Sequence, residues 1–204
     1  MQRVQEIIEF WFNGLNDDFI LDQRSPVLKR WFAKNDNLDA EIRERFESDL
    51  EKASRGQYPF WLTFSEGQLA LILLFDQFAR NIYRNTPQMF STDPLALRIT
   101  LQTIDQEDDL SLPLIQRLFF YMPLMHAEDK DVQKLSVKHF QNLVTESQKR
   151  NVRNTAYYEY TLGFAQKHQD IIARFGRFPH RNHILQRVST PDEMIFLKRL
   201  DSIS

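Results

Sequence analysis

The sequence predicts an all-α protein, and three observations support that prediction. Apolar residues recur three and four positions apart along almost all of the 204 residues, which is the spacing of one helix face. No segment sustains the alternation of apolar and polar residues that a half-buried strand requires. Glycine, which tight turns between strands use often, occurs only 5 times. Because no linker-like stretch interrupts the pattern, we expect a single all-α domain over residues 1–204.

The N-terminal part of the chain contains three predicted helices. An apolar stripe begins at Val4, and a short helix follows Pro26. The third helix has Asn37 as its predicted N-cap and Gly56 as its stop.

A helix over residues 68–82 follows, and it contains the most apolar run of the chain. Thr63 and Glu66 have the spacing of a capping box before it. Residues 69–74 are apolar on every side, and such a helix is normally buried among others. We therefore expect this helix to be the central element of the fold.

The second half of the chain continues the helical pattern. Asp93 followed by Pro94 predicts an N-cap and the first position of a helix. Pro123 should end or kink the helix before it. The longest apolar stripe stops at Gly176, and a last short helix begins near Pro191.

Composition and charge exclude several classes of function. The 26 basic and 28 acidic residues give a net charge of -2, so nothing favours general nucleic-acid binding. No apolar run approaches the roughly 20 residues of a membrane span. The acids Glu6 and Glu9 argue against a signal peptide, and the chain has no cysteine, so we expect a cytoplasmic protein. Phosphate-loop, dinucleotide and zinc-peptidase motifs are absent, so we expect no cofactor.

Polar residues on the central helix form the first candidate site. Asp76, Arg80 and Arg84 are spaced four apart and should share one face, with Gln77 and Asn81 beside them. Charges are costly to bury unless they are paired. Because the helix that carries them is apolar all round, we expect Asp76 and Arg80 to be paired and at least half buried. One interpretation is a structural Asp76–Arg80 salt bridge with Arg84 in solvent. The other is a polar pocket in which one of the arginines holds an anion.

A second candidate lies just after Pro123, where the helix should break. His126 and Glu128 are two residues apart there, a pair suited to acid–base catalysis or metal ligation. The alternative is structural, with Tyr121 packed in the core and His126 capping a helix end.

A third candidate is the arginine-rich stretch after Gly176. Arg177, Arg181 and Asn182 lie in a stretch without acids, and guanidinium groups bind carboxylate or phosphate in a bidentate manner. Alternatively, these arginines pair with acids elsewhere in the fold, such as Glu128 or Asp76. We expect the loop from Arg174 to His183 to fold back towards the end of the central helix, near Arg84. His180 and His183 are three apart but have no evident third ligand, so we expect no metal site.

His168 lies on the apolar stripe of the longest predicted helix. A histidine in that position is usually hydrogen-bonded in the core, but it would alternatively point into a pocket facing Arg80.

Three segments give the sequence a resemblance to a known family. Leu73–Arg84, Phe120–Glu128 and Arg174–Asn182 resemble a family of bacterial proteins catalogued as domain of unknown function nine hundred and twenty-four. The resemblance runs from Ile7 to Glu193. It implies a tetratricopeptide-like fold, with antiparallel helix pairs around a groove, and it implies no activity or catalytic residue.

Three functional hypotheses follow. The first is a protein that binds a small anionic molecule or a peptide carboxylate in a groove lined by the arginines and Asn182. The second is an enzyme, a hydrolase or lyase of a small anionic substrate, using His126, Glu128, His168 or His180 as acid or base. The third is a structural interaction module. The sequence leaves the oligomeric state open.

Overall fold

A computed structural model describes residues 1–17, 21 and 25–201, and this part of the chain contains helices and no strands, as predicted. Residues 18–20, 22–24 and 202–204 of the predicted domain lie outside the described residues. The α-helices are α1 (Gln2–Phe12), α2 (Pro26–Phe32), α3 (Asp36–Ser54), α4 (Ser65–Ile72), α5 (Ala79–Ile82), α6 (Asp93–Asp105), α7 (Leu114–His126), α8 (Lys130–Lys149), α9 (Thr155–Phe175) and α10 (Pro191–Asp201).

The predicted central helix is continuous from α4 to α5, but its middle is a π-helical segment over Leu73–Phe78. Every residue from Gly67 to Ala79 is buried, which confirms the central position. The α1, α6 and α7 helices pack against α4, while α3 packs against the π segment and α5. Such π segments are rare and often occur at functional sites. This one contains Asp76 and Gln77.

The predicted helix caps need correction. Asn35, and not Asn37, caps α3, because its side-chain oxygen accepts hydrogen bonds from the N–H groups of Asn37 and Leu38 in the first turn. The predicted capping box before α4 is wrong, since the Thr63 hydroxyl donates to the carbonyl of Phe60 instead. Asp93 is the first residue of α6 and not its N-cap, and its carboxylate faces a guanidinium.

The predicted break at Pro123 is also wrong, because α7 continues through Pro123 to His126. Proline removes one helical N–H donor and crowds the preceding turn. The Thr100 hydroxyl donates to the Phe120 carbonyl in that turn at 3.0 Å, which gives α7 a polar partner from α6. His126 is therefore the last residue of a helix. Gly176 does end α9 in the left-handed conformation, as predicted.

Helices α7, α8 and α9 pack as consecutive neighbours joined by short loops, an arrangement that makes neighbouring helices antiparallel. The tetratricopeptide-like arrangement as a whole stays a prediction. Most of the largest fully buried side chains in the core are aromatic, among them Trp11, Tyr158 and Phe78. Within the described ranges, no helix has the length and apolar character needed to cross a membrane.

Candidate functional site

The candidate site centres on a carboxylate and an imidazole brought together by the central helix and α7. Asp76 lies in the π segment with no exposed surface, and its Oδ1 is 2.7 Å from Nδ1 of His126. A carboxylate can only accept, so Nδ1 of His126 donates this hydrogen bond. In the neutral ring, Nε2 then carries a free lone pair. We find no hydrogen bond to Nε2 from any described residue.

The Asp76 carboxylate is held in its charged form. Burial raises its pKa, but the charge of Arg80, the adjacent imidazole of His126 and a hydrogen bond from Gln77 overcome that effect and bring the pKa below its usual range. Arg80 lies 3.3 Å from the Oδ1 that accepts from His126, and the Gln77 amide donates to Oδ2 at 2.5 Å. The predicted buried pair of Asp76 and Arg80 is confirmed, since their side chains are 0% and 17% exposed.

His126 borders a cavity of 280 Å³ between α2, α7, α8 and α9. Apart from His126, His168 and Thr161, its walls are almost entirely hydrophobic or aromatic, and they include Leu118, Met122, Met125, Phe140, Tyr157 and Phe164. Three of these wall residues lie on α7, the helix that ends at His126. The His126 imidazole therefore lies at the border of a mostly apolar space.

His168 borders the same cavity from α9. Its Nδ1 donates to the Phe164 carbonyl at 2.9 Å, and its ring packs against the ring of Phe178 at 5.2 Å. Burial lowers the pKa of His168 to about 4, so this imidazole is neutral at pH 7. His168 is only partly buried and its hydrogen bond to Phe164 is exposed, so it is not the expected core histidine. The alternative of a pocket position is present, although the cavity is bordered by His126 and not by Arg80.

A second layer of charge lies behind His126. Asp93 accepts hydrogen bonds from Arg80 at 2.8 and 3.2 Å, and an Arg181 nitrogen lies 3.4 Å away. Arg181 also donates to the His126 carbonyl at 3.0 Å, and its guanidinium packs over Phe178 and Phe90. Burial lowers the pKa of Arg181 to about 10, which leaves it charged at pH 7. Two carboxylates thus face two guanidinium groups, and the charges balance.

Glu128 anchors the arginine-rich loop and does not reach the cavity. Its carboxylate accepts from Arg187 at 2.6 and 2.9 Å and from the Phe178 N–H at 2.8 Å. Burial raises the pKa of Glu128, but these donors outweigh burial and lower it overall. His180 is exposed on the same loop, with its ring 5.4 Å from that of Phe178. Neither residue borders the 280 Å³ cavity.

The predicted shared face of the central helix does not include Arg84. The helix ends at Ile82, so Arg84 lies beyond it and the four-residue spacing no longer applies. Arg84 donates to Asp39 of α3 at 2.7 Å, and Asn81 donates to the same carboxylate at 2.8 Å. Arg84 therefore forms an ion pair with α3, and Asn81 forms a hydrogen bond with the same carboxylate. Both contacts hold the end of the central helix against α3.

The remaining predicted residues lie in two other clusters. Arg177 and Asn182 donate to Glu193 of α10, and Arg177 does so at 2.7 and 2.8 Å. Tyr121 is fully buried between α7 and α8, where its hydroxyl donates to Asp109 and accepts from Arg117. We predicted that the loop would fold towards Arg84. It folds instead onto Asp93 and His126, next to Arg80.

Several residues of the site were not found from the sequence. The carboxylates that pair with the arginines (Asp93, Asp39 and Glu193) come from distant positions, and no spacing connects them to their partners. For the wall residues of the cavity, the sequence pattern indicates only that they lie in the core. In residues 1–17, 21 and 25–201, no group of three potential ligands is arranged to hold a metal ion.

A larger open depression of 1070 Å³ lies elsewhere, between α1, α2 and α3. Its walls are mostly solvated polar residues such as Gln2, Gln5 and Glu9, and they include no residue of the candidate site. The smaller cavity is the better candidate because apolar walls and a few convergent polar groups are typical of small-molecule sites.

Comparisons with known proteins agree with the resemblance drawn from the sequence. A solved protein of unknown function from Agrobacterium tumefaciens, ATU0120, is 35% identical, covers 97% of this chain and 98% of that chain, and superposes with a TM-score of 0.75. A search of curated proteins found no match. Residues 7–201 match the family model described as bacterial protein of unknown function. The chain therefore belongs to that bacterial family, DUF924.

Proposed function

We propose that this protein is an enzyme that transfers protons to or from a small molecule bound in the 280 Å³ cavity. One observation carries the proposal: the Asp76–His126 hydrogen bond of 2.7 Å at the border of an apolar cavity. A carboxylate on one imidazole nitrogen makes the other nitrogen a better base and fixes its orientation. The reaction class is hydrolysis or elimination.

In this proposal, Nε2 of His126 takes a proton from water or from the substrate, and later returns it to the leaving group. The ring is then briefly an imidazolium ion, which the adjacent Asp76 carboxylate stabilises. Arg80 keeps Asp76 ionised, because the guanidinium lowers the pKa of that carboxyl. Arg181 is a positioning residue, since it binds the main-chain carbonyl of His126.

The hypothesis of an anionic ligand in an arginine-lined groove has less support. Each arginine proposed for it has a carboxylate partner within 3.4 Å. None of them borders the cavity. The hypothesis of a purely structural module has less support for a different reason. Structural ion pairs explain Arg84 and Arg177, but they leave the cavity and the free Nε2 of His126 without a role.

Turnover of a panel of neutral esters, amides and β-hydroxy carbonyl compounds tests the proposal. We expect His126→Gln and Asp76→Asn to lower kcat/KM by about 100-fold or more, while the exposed His183→Gln leaves it unchanged. Equal turnover by His126→Gln would reject the proposal. If no compound is turned over while phosphate or a dicarboxylate raises the melting temperature, the anionic-ligand hypothesis replaces it.

A further inference from the structure

The chemistry of the cavity walls limits the kind of molecule that the cavity binds. The inference drawn from it about the ligand rests on the proposed function. Among the residues that the structure describes, no Lys, Arg, Asp or Glu borders the cavity. An anion there would lose its hydration without gaining a cationic partner, which is costly. The occupant is therefore a neutral, mainly apolar molecule. At 280 Å³ the cavity is at the small end of ligand sites, and it suits one ring or a short chain.

The hydrogen-bonding groups of the walls are mostly acceptors. His168 commits its Nδ1 proton to the Phe164 carbonyl, so its Nε2 accepts. His126 commits its Nδ1 proton to Asp76, so its Nε2 also accepts. Thr161 donates its hydroxyl proton to the Tyr158 carbonyl at 2.9 Å. A molecule in the cavity thus finds acceptors on both α7 and α9 and gains by donating a hydrogen bond.

The Tyr157 hydroxyl does not act as a donor to the cavity. This oxygen has almost no accessible surface, so it does not open onto the cavity, although other atoms of Tyr157 border it. The polar side chains left at the cavity border are the two imidazoles and Thr161. A hydroxyl group on the occupant matches an imidazole acceptor by donating its proton.

Aromatic and sulfur-containing side chains favour a ring as the apolar part of that molecule. Phe32, Tyr160 and Phe164 border the cavity and are 54%, 46% and 37% exposed, so aromatic surface continues from the cavity to the solvent. Tyr160 and Phe164 meet edge to face at 4.8 Å. Met122 and Met125 add polarizable sulfur atoms to the walls. Aromatic rings bind well among such groups.

We propose that the cavity binds a small neutral aromatic alcohol or phenol, with its one hydroxyl proton donated to the imidazole of His126 or of His168 and its ring among Met122, Met125 and Phe164. The hydroxyl of such a molecule lies where His126 acts as base. The substrate class of the proposed enzyme is therefore an aryl alcohol, a phenol, or a compound that yields one.

Binding of three compounds of matched shape tests this proposal on the unmodified protein. The probes are p-cresol, p-xylene, which lacks the hydroxyl, and p-toluate, which is an anion. Titration calorimetry gives each Kd, and the methyl NMR signals of Met122 and Met125 show whether the cavity is occupied. We expect p-cresol to bind about tenfold more tightly than p-xylene, as one additional hydrogen bond allows, and p-toluate to bind most weakly.

Two variants sharpen the test. We expect His168→Leu to reduce the preference for p-cresol over p-xylene, whereas the exposed His183→Leu keeps it. Equal binding of p-cresol and p-xylene would overturn the inference and leave the proposed enzyme intact. Tightest binding of p-toluate would overturn it in favour of an anion site, and no binding of any probe would overturn it as well. If His126→Gln still binds p-cresol and its turnover of substrates is unchanged, the proposed function is rejected while the inference about the ligand stands.

Discussion

Asp76 and His126 are 50 residues apart in sequence, and their hydrogen bond joins the π segment of the central helix to the last residue of α7. The carboxylate is fully buried, whereas the imidazole side chain is 17% exposed and borders a cavity. A buried carboxylate is maintained only when its charge is compensated. The pair therefore connects the stability of the core to the chemistry of the cavity.

Removing Arg80 should destabilise the protein strongly. Arg80→Ala leaves the buried Asp76 without its guanidinium, and loss of one partner from a buried ion pair costs about 3 kcal/mol or more. Urea denaturation measures this free energy of unfolding. Arg55→Ala is the control, because the Arg55–Glu51 pair is 70% and 54% exposed and lies at 3.7 Å; its loss should cost less than about 1 kcal/mol. Similar losses in both variants would contradict the burial of Asp76.

His168 should make stability depend on pH in mild acid. Its pKa is about 4 in the folded protein and about 6.5 in an unfolded chain. Between these values the unfolded state binds the additional proton, so stability falls as the pH decreases from about 7 towards 4. We expect His168→Gln to reduce this slope by up to about 1.4 kcal/mol per pH unit.

Unfolding free energies between pH 7.5 and pH 5 measure that slope, since Asp76 and the other carboxyl groups with lowered pKa values contribute at lower pH. The exposed His183→Gln is the control and should keep the wild-type slope. An unchanged slope in His168→Gln would mean that the imidazole is not buried against the cavity.

Two glycines should respond to alanine in opposite directions. A Cβ atom at Gly67 would lie 2.3 Å from the Trp61 carbonyl oxygen and 2.8 Å from the Phe64 ring, so backbone atoms would have to move. We expect Gly67→Ala to cost about 1–3 kcal/mol. At Gly163, in α9, a Cβ atom would meet nothing within 4 Å, and Gly163→Ala should stabilise by about 0.5–1 kcal/mol. Thermal unfolding of both variants checks the pair, and a tolerated Gly67→Ala would contradict the packing of α4.

Sequence reasoning succeeded where the signal is local. The apolar run of residues 69–74 predicted the central helix, and the four-residue spacing of Asp76 and Arg80 predicted their buried pair. It failed where a local rule competes with a distant partner. Asp93 has the sequence position of a helix cap, but its carboxylate forms ion pairs with Arg80 and Arg181 instead. Pro123 predicted a break, yet packing on every side keeps α7 helical.

Three polar residues of the candidate site were predictable one by one, but their arrangement was not. His126, His168 and Asp76 were all singled out. The hydrogen bond between Asp76 and His126, and the meeting of His126 and His168 at one cavity, depend on how the central helix, α7 and α9 pack. Arg84 was also singled out, but it does not join the site. Its predicted place on the shared face required the helix to continue beyond Ile82, where it ends. The cavity itself follows from how Phe140, Tyr157 and Phe164 fit together, which no spacing rule describes.

The most direct test of the account is the rate at which diethyl pyrocarbonate acylates His126, followed by mass spectrometry of the peptides. The reagent reacts with an unprotonated imidazole nitrogen, so it reports on the Nε2 lone pair and its access from the cavity. We predict that His126 reacts faster than the exposed His183, that Asp76→Asn slows His126 alone, and that p-xylene or p-cresol protects it. Reaction of His126 no faster than His183, and insensitive to Asp76→Asn, would contradict the account.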